Sequence, residues 1–143
     1  MAAKDLQGIQ ARTLAGNPWP EKTQRTLDVR YDPHQPDSWW LLSEHWRETV
    51  LPNGERRLVW VPAGFETDIA SIPQVLQGWL PRWGRYASAS VIHDWLYANR
   101  LGTRKMADKI FWCIMRDDGV DAVTRKQMYL AVRAFGGPIW DND

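Results

Sequence analysis

The run Val91-Ile92-His93-Asp94-Trp95-Leu96-Tyr97 constrains the chain most, because it sets a His-Asp pair inside an otherwise apolar, helical stretch. On a helix His93 and Tyr97, four apart, share a face. Asp94 points about 100° round from His93. Buried polar groups are costly unless paired. Any fold that buries this helix must therefore bring partners to His93, Asp94 and Tyr97.

The rest of the chain limits what those partners can be. At 143 residues the length fits one domain. The expected division is an extended N-terminal arm over 1–26, broken by Gly16, Pro18 and Pro20, and a single domain over 27–143. The arm is either a disordered leader or a segment that orders on a neighbouring subunit. Leu27, Val29 and Tyr31 alternate with Asp28 and Arg30, the period of a strand. An apolar strand is expected from Trp39-Trp40-Leu41-Leu42, continuing through Trp46, Glu48 and Val50. Leu51-Pro52-Asn53-Gly54 reads as a hairpin turn and Glu55–Val61 as the return strand, with Leu58 and Trp60 on one face. His34 and His45 share no metal-ligand spacing with each other and are expected at the surface.

Helical punctuation follows. Ser71 and Pro73 open a short helix over 74–80, with Ser71 as its cap. The His-Asp helix spans 84–99. A third helix starts at a Thr103 cap and ends near Asp117-Asp118-Gly119. A fourth runs from an Asp121 cap to Phe135, stopped by Gly136-Gly137-Pro138. Asp108, Phe111, Trp112 and Met115 share one stripe of the third helix. The expected fold is α+β: the arm, a small antiparallel sheet with its hairpin, then a helical half of three main helices.

The turn Arg100-Leu101-Gly102 makes the second and third helices antiparallel neighbours. Counting equal rises from that turn predicts that His93 and Asp108 miss each other by roughly 6 Å, so their contact calls for a tilted crossing. A histidine with such a carboxylate partner is a general base or acid. Asp94 turns toward the loop at Thr67 and Asp68. Two carboxylates, Asp94 and Asp68, facing one space could hold a hard cation such as Ca²⁺. The same His-Asp pair also works as a structural staple between helices. Ser88 and Ser90 sit on no recognisable nucleophile turn. Arg85, Arg100, Arg104 and Lys105 read as solvated or as partners of helix C-termini.

Net charge is +1, with −2 over residues 1–80 and +3 over 81–143, so no bulk nucleic-acid partner is expected. The lone Cys113 excludes an intrachain disulfide. No transmembrane run and no signal-peptide core is present, which points to a soluble chain made without export by a signal of its own. The 10 tryptophans, spread from Trp19 to Trp140, serve the core or a partner surface.

Five motifs in order carry a resemblance: Val61-Pro62-Ala63-Gly64-Phe65-Glu66-Thr67-Asp68-Ile69-Ala70-Ser71-Ile72-Pro73, Trp83-Gly84-Arg85-Tyr86-Ala87, His93-Asp94-Trp95-Leu96-Tyr97, Ala107-Asp108 and Phe135-Gly136-Gly137-Pro138. From about Trp39 to Pro138 the chain resembles a family of tailed-phage and prophage proteins of unknown function. That resemblance implies a virion-associated tail or tail-tip structural protein, whose partners are other phage structural proteins or copies of itself.

A local resemblance is to the paired catalytic helices of phospholipase A2. It implies His93 as the residue that activates water, Asp108 as the residue that holds His93, Tyr97 as support and Asp94 as a Ca²⁺ ligand. It offers an alternative function, a Ca²⁺-assisted hydrolase acting on phospholipid or another envelope component. The chain departs from that pattern in lacking a helix-pairing disulfide and a glycine-rich calcium loop before the histidine.

Overall fold

The computed structural model describes residues 9–12, 27–35, 38–67 and 85–141. Among them the chain is α+β. Strands β1 (Ile9–Arg12), β2 (Val29–Tyr31), β3 (Trp39–Leu41), β4 (His45–Val50), β5 (Arg56–Val61) and β6 (Glu66–Thr67) precede four helices. These are α1 (Ala87–Asn99), α2 (Arg104–Asp117), α3 (Ala122–Phe135) and the short α4 (Gly137–Asp141). The strands form two three-stranded antiparallel sheets, ordered β1-β5-β4 and β2-β3-β6. Ile9–Arg12, within the expected arm, pairs with β5 of its own chain. The other arm residues, the Ser71 cap and the short helix expected over 74–80 lie outside the described residues.

The single strand expected from Trp39 to Val50 is two strands in different sheets. The chain leaves the second sheet at Leu42, whose N–H donates to Asp28 C=O at 2.8 Å, and re-enters the first at His45. The inward face of β4 is also the opposite of the expected one. His45, Arg47 and Thr49 are buried, whereas Trp46 and Glu48 are half-buried and Val50 is exposed. The physical reason is a set of polar partners waiting inside. Arg47 makes a two-pronged bond to Asp118 at 2.6 Å on both oxygens and also donates to Ser88 Oγ at 2.8 Å. Thr49 donates to Asp117 at 2.7 Å. A fork-to-fork guanidinium–carboxylate pair is among the strongest protein hydrogen bonds, and it outweighs the apolar pattern of the strand's other face.

His45, expected at the surface, is 1% exposed, and its Nε2 lies 2.7 Å from Ser88 Oγ. Arg47 donates to the same oxygen, which has two lone pairs to accept with. Burial, then the neighbouring Arg47 charge, holds His45 down at about 4 from its ordinary 6.5. His34 is exposed, as expected.

The Asn53-Gly54 turn closes the β4–β5 hairpin, with Leu51 N–H on Glu55 C=O at 2.8 Å and Gly54 at φ +89°. Helix α1 is apolar nearly all round. Ala89, Val91, Ile92 and Leu96 are fully enclosed between β5 on one side and α2 on the other. Thr103 caps α2 by accepting Met106 N–H, and Asp121 caps α3 by accepting Thr124 N–H. Gly136 ends α3, but Gly137 begins α4 at once, so the expected stop is an elbow. Seven tryptophans are described, and none is exposed: Trp39 is buried and the other six are half-buried.

The His45 pocket generates a test. A histidine whose folded pKa is depressed contributes stability that is full above 6.5 and is lost as pH falls toward 4. The loss is expected to be on the order of 3 kcal/mol. Urea unfolding between pH 7.5 and 4 should show it, and His45→Gln should flatten that part of the pH dependence. An equally steep acid loss in the variant would remove His45 as its source.

Candidate functional site

The antiparallel pair α1 and α2 brings His93 and Asp108 into direct contact, Nε2 to Oδ1 at 2.7 Å. The predicted offset of roughly 6 Å is absent. His93 lies seven residues before Arg100 and Asp108 six after Gly102, so nearly equal rises put the two at one level. The turn that sets this register is closed by Arg100 in the left-handed region at φ 48°, with Leu101 N–H donating to Leu96 C=O at 3.1 Å.

Asp108 is fully buried and accepts on both oxygens. Tyr97 Oη donates to Oδ1 at 2.6 Å, beside His93. Arg133 Nη1, from α3, donates to Oδ2 at 2.7 Å, and Arg104 Nη1 stands 3.6 Å from the same oxygen. An ionised carboxylate only accepts. His93 Nε2 therefore carries the hydrogen toward Asp108, and Nδ1 is the nitrogen left with a lone pair. Aromatic rings hold the imidazole in plane: Phe111 and Tyr97 lie 4.7 and 4.2 Å from it, centroid to centroid.

The electrostatics follow from burial and partners. Burial pushes the Asp108 carboxyl up, but the hydrogen bonds from His93 and Tyr97, the His93 charge and the Arg133 bond reverse the sign and hold it below the usual range. For His93, burial is the largest influence and lowers it. The hydrogen bond and charge of Asp108 pull the other way, Arg104 assists burial, and the net direction is down. Burial, then the bond to Asp108, raises the Tyr97 phenol. At neutral pH the site is thus an ionised Asp108, a neutral His93 and a neutral Tyr97, which is the resting state of a base.

Asp94 turns the other way, to sheet two, where Thr67 Oγ1 donates to its Oδ2 at 2.5 Å. Asp68 lies outside the described residues. Asp94 and Thr67 are hard oxygen donors of the kind Ca²⁺ takes. Among the described residues they fall short of its usual six to eight ligands, and no group of three or more His, Cys, Asp or Glu is placed to hold a metal.

One participant was not marked by the sequence pattern. Arg133 sits on α3 at a position whose spacing gives no sign that it reaches Asp108. Arg104 is the helix C-terminus partner expected, donating to Val132 C=O and Arg133 C=O in the last turn of α3 at 3.2 and 3.3 Å. Ser88 of α1 joins His45 and Arg47 and not His93, and Ser90 donates to Tyr86 C=O.

A buried carboxylate with four partners makes a sharp stability prediction. Asp108→Asn should cost roughly 3 kcal/mol in urea unfolding, because it strands the arginines beside a neutral amide. Arg133→Gln should cost about 1 kcal/mol, because its side chain is 31% exposed and Arg104 stays nearby. Equal losses from the two would contradict Asp108 as the centre of the cluster.

Comparison with known proteins places this chain in a family. The chain belongs to DUF1353, described as a protein family of unknown function, whose family model matches residues 42–132. It is 40% identical over 92 residues to the uncharacterized protein y4jT of Sinorhizobium fredii (strain NBRC 101917 / NGR234), a match covering 62% of this chain and 26% of that protein. It is 38% identical over 77 residues to the uncharacterized protein y4iH of the same strain, covering 52% of this chain and 32% of that one. The chain therefore spans about a quarter to a third of the length of these curated relatives. No solved structure matches it.

Proposed function

For this DUF1353 chain we propose a hydrolase that cleaves an ester of phospholipid or another envelope component, with His93 as general base, acting as part of a tailed-phage particle. The observation that carries the reading is His93 Nε2 on the buried Asp108 carboxylate at 2.7 Å, with Tyr97 on the same oxygen. This arrangement is what the phospholipase A2 resemblance requires of His93, Asp108 and Tyr97.

The chemistry is a simple proton relay. Nδ1 of His93 takes a proton from water while the water oxygen bonds to the ester carbonyl carbon. Asp108 stabilises the imidazolium that forms. As the tetrahedral intermediate collapses, the ester C–O bond breaks and His93 returns the proton to the departing alkoxide. One ester and one water become one acid and one alcohol. If Ca²⁺ takes part, Asp94 and Asp68 would hold it, and it would polarise the carbonyl. The proton steps rest on His93 and Asp108 alone.

A second reading is assembly in the virion tail, through other phage structural proteins or copies of this chain. It is favoured by exposed Val123, Leu130, Phe135 and Ile139, each more than half open on α3 and α4. The two readings are compatible in a tail-tip component. Among the described residues no helix is long and apolar enough to cross a membrane.

The test is release of fatty acid from phospholipid vesicles, with an esterase assay beside it, run with Ca²⁺ and with EDTA. His93→Ala should lower the rate by about 10²- to 10⁴-fold with an unchanged circular dichroism spectrum. Because burial holds His93 below its ordinary 6.5, the rate should stay level with falling pH until below that value and then decline. Equal rates for wild type and His93→Ala, or no release by either, would leave the assembly reading.

A further inference from the structure

We propose that the elbow joining α3 to α4 is a positioning device for the His93 site: Gly136 and Trp140 seat the Tyr97 ring so that its hydroxyl stays on Asp108. The proposal rests on the hydrolase reading for its kinetic consequence, though not for its geometry. Both residues lie beyond residue 132, where the family match ends.

The case begins with why residue 136 is glycine. Its backbone, at φ −78° and ψ −18°, is one that any residue adopts, so backbone freedom is not the reason. Space is the reason. A Cβ there would meet Tyr97 Oη at 2.6 Å, Tyr97 Cε2 at 3.2 Å and Val132 O at 2.5 Å. The first two atoms belong to the side chain that donates to Asp108 at 2.6 Å. A methyl group at residue 136 therefore presses on the hydroxyl itself and moves it along or off its bond.

Trp140 supplies the second contact. Its ring stands edge-on to Tyr97 at 5.1 Å and 83°, while His93 packs on that ring at 4.2 Å. Tyr97 is thus held between the base and the elbow. The elbow is in turn anchored. Arg100 Nε donates to Trp140 C=O at 2.5 Å, and Trp140 N–H donates to Gly136 C=O at 3.0 Å. Arg100 belongs to the turn that sets the register of His93 against Asp108. One residue therefore ties the clasp to the hinge of the helix pair it serves. The charged groups around the phenol are Asp108 and Arg104 of α2 and, through Asp108, Arg133 of α3.

The experiment compares Gly136→Ala, Trp140→Ala and Trp140→Phe, each alone and with Tyr97→Phe. Protein carrying ¹³C at the tyrosine ζ carbon reports Tyr97 directly, its signal assigned by its loss in Tyr97→Phe. In the wild type Tyr97 should titrate above an ordinary tyrosine. Gly136→Ala and Trp140→Ala should each bring it down toward the ordinary value, and Trp140→Phe, which keeps an aromatic edge, should restore most of the shift. In the vesicle assay the two alanine variants should lose roughly 10- to 100-fold in kcat with KM held, and add no further loss once Tyr97 is phenylalanine. An unmoved Tyr97 signal in the alanine variants, or losses that multiply fully in the Tyr97→Phe background, would overturn the proposal. If Gly136→Ala does not fold, the two Trp140 variants decide it. If the wild type releases no fatty acid, the hydrolase reading fails, and the tyrosine titration still decides the clasp.

Discussion

Asp108 is the charge on which the helical half depends. A carboxylate with no exposure to water is costly to bury, and the cost is offset only where every lone pair finds a donor. Here the donors come from two helices, His93 and Tyr97 from α1 and Arg133 from α3, while the Arg104 charge of α2 itself stands 3.6 Å away. Each bond has a direction as well as an energy, so the carboxylate fixes how the helices rotate against one another. Apolar contacts among Ile92, Leu96, Ile110 and Ile114 supply bulk attraction, but they would tolerate a small slip. The Asp108 cluster would not.

Helix α1 joins that cluster to the rest of the molecule. Ser88 meets His45 and Arg47 of the first sheet, Asp94 meets Thr67 of the second, and His93 with Tyr97 meets α2. Three polar ties leave one otherwise apolar helix in three directions. In the hydrolysis proposed above, a proton transferred at His93 would move on a frame held from every side, which is what a base needs if its geometry is to survive the charge it acquires.

The sequence makes the helical half legible because its signals are local. Thr103 and Asp121 announce the caps, and the positions of His93 and Asp108 about a three-residue turn bring them level. The expected offset fails because His93 lies seven residues before Arg100 and not about ten. What stays hidden is non-local. Nothing near Arg133 shows that its guanidinium ends on a carboxylate 25 residues earlier. His45 has a strand context that suits a surface residue, and only the folded positions of Ser88 and Arg47 make it a core residue. Strand β4 misleads in the same way: its apolar residues are on the face that the core does not take, because Asp117 and Asp118 wait on the other.

That inverted strand has a meaning beyond stability. Among the described residues strand β4 ends its sheet, pairing only with β5, and an end strand is the kind that can pair with a stray chain. Slipping its pairing by one residue would turn Arg47 away from Asp118 and bring Trp46 and Glu48 inward in its place. A buried arginine at the centre of an edge strand thus acts as a lock on register. It disfavours the flat, adaptable edge from which protein aggregates grow, and it does so with a residue that no measure of hydrophobicity would place in a core.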